Sequence, residues 1–226
     1  MLLKYMLLDL GIVKIKSIDE EPYTLKSGKK SRLFIDIKEA SLDPLVLNTM
    51  SDDVLNIIDD IEIPDRIASV AVGGVPLATI VSYISEIPHI IIRSQKHDRG
   101  TETKIIGNCK DKICLLVEDV ATSGGSIVNA VNAIREAGGI CNKCIVVVDR
   151  EEGAKELCKK NNIELTSLLT KTDFGIMQEW LTMDNKDRNR TQVYQHGYIA
   201  GYTQHRVDIG EISREEADKI IRKSLV

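Results

Sequence analysis

An α/β fold, a mainly parallel sheet with helices on both faces, is predicted for this chain by three observations. Short runs of Ile, Val and Leu recur from Arg32 to Thr170. Most are apolar throughout instead of alternating, so both of their faces are buried. Stretches with helical apolar spacing separate them, and this alternation is the mark of parallel crossover units. A length of 226 residues suits one such domain with a small appendage.

The elements follow in order. MLLKYMLLDLG, Met1–Gly11, is interrupted by Lys4 and Asp9 and has no small-residue cleavage site after it, so it predicts an amphipathic helix. Arg32–Ile37 predicts a strand. Pro44–Ile61 predicts a helix, with apolar residues at Leu47, Met50, Val54 and Ile57/Ile58. Ile67–Gly74 predicts a buried strand ending on glycines, followed by a helix over Val75–Ser85. His89–Ser94 and Ile113–Asp119 predict a third and a fourth strand. Ser126–Gly139 predicts a helix with Ile127, Val131 and Ile134 on one face, stopped by its two glycines. Cys144–Arg150 predicts a fifth strand, Gly153–Asn162 a helix and Glu164–Thr170 a last strand. From about Gly175 the chain turns polar, and Ser213 with Glu216 three residues on predicts a capped C-terminal helix.

The composition narrows the function. Aromatics are 4% of the chain, so aliphatic residues fill the core. No apolar run approaches the roughly 20 residues that cross a bilayer, so no membrane partner is expected. A net charge of -4 argues against non-specific nucleic-acid binding. The five cysteines are odd in number, and Cys141-x-x-Cys144 has no second pair to complete a metal site. They are read as structural thiols of a reduced, cytoplasmic protein.

The richest stretch is LLVEDVATSGGS, Leu115–Ser126. A buried strand runs into Glu118 and Asp119, then into Val120, Ala121, Thr122, Ser123, Gly124, Gly125 and Ser126. Strand, small-residue loop and helix start make an anion site, because backbone N–H groups and the helix dipole converge there. Glycines let the backbone approach a ligand. The carboxylates suit ribose hydroxyls, or a Mg²⁺ held between ribose and diphosphate. No GK[ST] or GxGxxG is present. In a parallel sheet the strand ends share one crevice, which would gather Glu118, Asp119 and Arg150.

LLVEDVATSGGS resembles the phosphoribosyl-diphosphate (PRPP) signature of type I phosphoribosyltransferases. Three further stretches resemble the orotate phosphoribosyltransferases among them: TLKSGKKSRLFIDIK (Thr24–Lys38), AVGGVPLAT (Ala71–Thr79) and VVVDREEGAKEL (Val146–Leu157). The resemblance runs from about residue 20 to 183. It implies the family's core over 41–183, an N-terminal helix and hood over 1–40, and leaves 184–226 as an extension of unknown role. It implies that Glu118 to Ser126 bind PRPP, with Asp119 catalytic. It further implies that Lys26, Phe34, Thr122 and Arg150 serve orotate, an acceptor that suits the planar Arg150 fork.

RSQKHDRGTETKIIG, Arg93–Gly107, is polar and too long for a tight turn, the profile of an active-site lid. The resemblance implies a loop that closes over the diphosphate, commonly in the neighbouring subunit of a homodimer. Aligned on Asp98 and Gly100, the chain has Ser94 and His97 at the family's two lysines and Arg99 at its aromatic or histidine. Lys96 sits one place early, and Gly73 stands where many relatives place a lysine. Arg93, Lys96, His97 and Arg99 are thus the loop's PRPP-binding candidates, with Lys96 or His97 the catalytic cation. Mg²⁺ is expected mainly through substrate, with Asp119 as a candidate ligand. The activity implied is orotate phosphoribosyltransferase. A phosphoribosyltransferase for another base, and a PRPP-binding regulator without catalysis, are the alternatives.

Overall fold

The computed structural model describes residues 2–16, 20–24, 30–31, 33–93, 105–175 and 213–215. Two units are distinguished, Leu7–Gly175 and Met1–Met6 with Ile176–Val226. The first carries the architecture below from Leu7 onward.

The opening helix α1 spans Leu2–Asp9. Four short strands follow: β1 (Val13–Ile15), β2 (Tyr23–Thr24), β3 (Lys30–Ser31) and β4 (Leu33–Ile35). They form two antiparallel pairs, β1 with β4 and β2 with β3. The predicted strand over Arg32–Ile37 is therefore shorter, and its end belongs to a helix. That helix is α2, Ile37–Ala40, whose first turn is capped by the Asp36 carboxylate accepting from Lys38 N–H. Next is α3, Pro44–Asp59, started by proline and by an Asp43 carboxylate that accepts from Leu45 and Val46 N–H.

The main sheet is built from β5 (Arg66–Val70), β6 (His89–Ile92), β7 (Ile105–Ile106), β8 (Ile113–Ala121), β9 (Ile140–Asp149) and β10 (Glu164–Thr170). Its helices are α4 (Val75–Ser85), α5 (Gly125–Glu136) and α6 (Ala154–Lys160), with α7 (Lys171–Gly175) at the end. The strand order is β10-β9-β8-β5-β6-β7. All pairings are parallel except β6 with β7.

Two strands outrun their predictions. β8 continues past Asp119 to Ala121, so the acidic pair lies inside the strand and not at its end. β9 begins at Ile140, which places Cys141 and Cys144 within it, both buried. Burial pushes the Cys141 thiol up to about 11 and raises Cys144 well above its ordinary value, so neither is a ready thiolate.

Helices cover both faces of the sheet. Ile127, Ala130, Val131 and Ile134 of α5 join Ala154 and Cys158 of α6 in one core with Ala68, Ile90, Leu116 and Val146. Leu115 and Val117 alternate with Leu116 and are equally buried, so β8 is covered on both faces. α4 packs on β5, β6 and β8, with α3 against it.

The strand order positions the site. From β5 the chain steps outward to β6, then returns to the other side of β5 to form β8 and moves the opposite way to β9. Right-handed crossovers then send α4 and α5 to opposite faces. Between the carboxyl ends of β5 and β8 the two connections diverge, and open α/β sheets bind ligands in the crevice left there.

Candidate active site

The crevice between β5 and β8 is floored by Glu118 and Asp119. Each is only 6% exposed. Val70, the last residue of β5, donates its N–H to Glu118 Oε1 at 2.5 Å. Asp119 Oδ1 accepts from Val120 N–H at 2.8 Å. Burial pushes Glu118 up to about 8, opposed by the Val70 hydrogen bond and raised further by Asp119. Burial raises Asp119 as well, opposed by its backbone hydrogen bond and by the positive charge of Lys38. Lys38 acts on both carboxylates from α2, which packs on β8.

The turn after β5, Ala71–Gly74, forms the opposite wall. It includes a cis Ala71–Val72 peptide bond, and Ala71 N–H donates to Ile92 O at 2.9 Å, tying the turn to the end of β6. A Cβ on Gly73 would collide with the Asp119 carboxylate, and one on Gly74 with Glu118 and, at 2.6 Å, with Val117 O. Position 73 therefore contributes backbone only, because a side chain has no room there.

Beyond Ala121 the chain turns through Thr122 and Ser123, and Gly124 adopts φ +83°, which favours glycine. A Cβ at Gly124 would also meet Ala154 Cα at 3.0 Å. Helix α5 starts at Gly125 with no side chain bonded to its first turn. Its leading N–H groups thus face the loop, with Ser123 and Ser126 exposed beside them. Arg150 N–H donates to Ala121 O at 2.9 Å, which pins the end of β9 to this loop. The Arg150 guanidinium pairs with Glu152 at 3.1 Å. Glu151, at φ +54°, donates its N–H to Asp149 and accepts from Thr172 N–H and Oγ1 at 2.9 and 2.6 Å.

The site is thus an acidic floor, a wall that meets it with two glycines and a small-residue anion loop at one switch point. Residues 54–172 match the phosphoribosyl transferase domain family. The chain is 47% identical over 150 residues to the orotate phosphoribosyltransferase of Methanocaldococcus jannaschii, covering 66% of this chain and 84% of that one. It is 39% identical over 168 residues to that of Methanopyrus kandleri, covering 74% and 87%. The chain belongs to the orotate phosphoribosyltransferase family. A crystal structure of the Aeropyrum pernix orotate phosphoribosyltransferase superposes with a TM-score of 0.68 at 27% identity, covering 80% of this chain and 99% of that one.

In this member of the family, Glu118 to Ser126 lie together at the switch point, with Val120 and Ala121 still in the strand. Arg93 directly follows β6. Phe34 is on β4 and 38% exposed. Lys26, Lys96, His97 and Arg99 lie outside the described residues. Sequence reasoning missed Val70, Gly73 and Gly74 as partners of the acidic pair, and Lys38 as their cation. It also missed Tyr23, whose ring lies 5.6 Å from that of Phe34. The GG pair was a readable signal for close approach, but what approaches it was not. Among the described residues no three His, Cys, Asp or Glu side chains gather to hold a metal. The donor set at the crevice is two carboxylates. It fits Mg²⁺, which takes one or two carboxylates and fills its shell from substrate phosphates and water.

Proposed function

We propose that the chain transfers ribose 5-phosphate from PRPP to N1 of orotate, releasing diphosphate and giving orotidine 5'-phosphate. The observation that carries this is the match to orotate phosphoribosyltransferases over most of their length, beside the Glu118–Asp119 crevice that the fold builds. The C1–oxygen bond to diphosphate breaks, a C1–N1 bond forms, and the proton on N1 is lost to solvent or to the departing diphosphate. Asp119 and Glu118 accept the ribose hydroxyls. Backbone N–H groups and hydroxyls of Thr122 to Ser126 hold the 5-phosphate. Mg²⁺, when bound, supplies charge neutralisation for the diphosphate. Lys26, Phe34, Thr122 and Arg150 hold orotate, whose negative charge sits on its carboxylate.

The loop after Arg93 covers the diphosphate, with Lys96 or His97 as its cation. That reading is supported by its two feet, since Ile92 pairs with Ile105 at the sheet end that carries the acidic pair. The resemblance supports a homodimer in which the loop serves the partner's site. Five buried free cysteines support a reduced, cytoplasmic setting. No helix among the described residues is long and apolar enough to cross a membrane. The extension over 184–226 is left without a role.

Turnover with PRPP and Mg²⁺ tests the reading, with orotate, uracil and the purine bases as separate acceptors. Orotate alone should give nucleotide and diphosphate in equal amounts. Turnover of another base in its place would move the chain to a different acceptor. PRPP binding with no acceptor turned over would make it a regulator.

A further inference from the structure

The N-terminal strands bring three side chains together. Phe34, on β4, leaves 38% of its surface exposed, although it is one of only two phenylalanines in the chain. Tyr23, on β2, lies against it with ring centroids 5.6 Å apart and planes inclined at 46°. The ammonium of Lys16 stands 4.5 Å from the Tyr23 centroid and donates to Glu21 O at 2.7 Å. Tyr23 is thus fixed through Lys16 and bears on Phe34, whose remaining surface stays open. The strand pairings hold the two rings from separate ladders, with Phe34 opposite Lys14 and Tyr23 opposite Ser31.

An exposed phenylalanine on a strand only three residues long would sample several rotamers, and a ligand stacking on it would have to freeze one of them. A tilted aromatic neighbour removes that cost in advance, because the edge of one ring is attracted to the face of the other. Lys16 adds to this by holding Tyr23 through cation–π attraction.

We infer that Tyr23 is a positioning residue of the base site, whose ring buttresses Phe34 so that the open surface of Phe34 is a fixed platform for a planar heterocyclic anion. This rests on the reading that Phe34 faces orotate. β2 ends at Thr24, two residues before Lys26, so the same buttress anchors the strand that leads to the second orotate candidate.

Steady-state kinetics of the full chain test it, with Tyr23→Leu, Tyr23→Phe and Phe34→Leu assayed against both substrates. Tyr23→Leu is expected to raise the KM for orotate about threefold to tenfold, the range a tilted aromatic pair is worth. The KM for PRPP should change less than about twofold, because the buttress touches only the base side. Tyr23→Phe, which keeps the ring, should restore most of the orotate KM. Unchanged orotate KM in Tyr23→Leu, with a raised one in Phe34→Leu, would overturn the buttress and leave the Phe34 assignment standing. No change in either variant would remove Phe34 from the base site and the inference with it. A parallel loss for both substrates in Tyr23→Leu, with a lowered melting temperature, would make Tyr23 a general support of the N-terminal strands and likewise overturn the proposal.

Discussion

Asp119 and Glu118 are neighbours with different burdens. Asp119 spends one oxygen on the Val120 N–H and keeps the other for a ligand. Asp119→Asn retains an acceptor for that N–H but loses the charge. The fold should persist, and kcat/KM for PRPP should fall about tenfold to a hundredfold, from roughly 1.5–3 kcal/mol for a charged hydrogen bond. Steady-state kinetics beside a thermal melt would check both parts. Glu118 is engaged by Val70 N–H and pushed up to about 8 from an ordinary 4.5. Below pH 4.5 the carboxyl is protonated in the folded and unfolded chain alike. As pH rises, the unfolded chain ionises first, while the folded chain keeps its proton until about 8. The folded state then binds more protons, so stability falls across that window. Denaturant unfolding from pH 5 to 8, with EDTA present, should show this decline. Glu118→Gln should flatten it, leaving the smaller slope from Asp119, which is raised in the same direction.

Two connecting elements shape the crevice as much as the strands do. The Ala71–Gly74 turn lies so close to the acidic pair that a single methyl is too much. Gly73→Ala should displace the Asp119 carboxylate and lower kcat/KM for PRPP about tenfold, from overpacking that costs roughly 1–3 kcal/mol. The orotate KM should move little, and an unaffected PRPP constant would mean that the turn yields freely. The segment after β9 is held at three places, by Ala121 O, by the Asp149 carboxylate and by Thr172. That fastening directs Arg150, whose guanidinium already has a carboxylate partner in Glu152. On the proposed reading, orotate would compete with Glu152 or share the fork with it. Arg150→Ala should raise the orotate KM more than the PRPP KM, and an equal rise in both would mark Arg150 as structural.

On the proposed homodimer with a shared loop, the question is which chain's loop serves which site. The loop's feet at Ile92 and Ile105 sit side by side, and the Ala71 bond to Ile92 O couples one foot to the wall of the crevice. Mixing Asp119→Asn chains with Lys96→Ala chains should restore activity, since each hybrid dimer holds one site with both residues intact. With free exchange, up to about half the dimers are hybrids, so recovery of about a quarter of wild-type turnover is the ceiling for one good site in two. No recovery in mixtures proved to exchange would mean that the loop serves its own chain, or that Lys96 is not the cation. A fall in kcat as pH rises from 6 to 8, with Lys96→Ala mild, would give that role to His97.

Much of this was legible along the chain. The helix Val75–Ser85 and the strand Glu164–Thr170 match their expected bounds, because apolar periodicity reports burial and burial decides these elements. The PRPP-like loop was legible too, since its glycines, hydroxyls and carboxylates are contiguous. Of the N-terminal strands, β4 was, inside the predicted Arg32–Ile37, whereas β1, β2 and β3 were not. They are two or three residues long and exist through cross-strand pairing, which no local period encodes. The end of β8 was misplaced for a related reason: Glu118 and Asp119 read as a strand terminus, yet parallel pairing to β9 carries the strand on to Ala121. The crevice itself depends on β8 lying beside β5. That adjacency sets Val70 against Glu118, 48 residues away, and Gly73 against Asp119. Likewise, Tyr23 and Phe34 meet only because two separate antiparallel pairings bring them together. Residue types and their local spacing carried the chemistry, and strand order, a long-range choice among packings, decided which of those residues share a site.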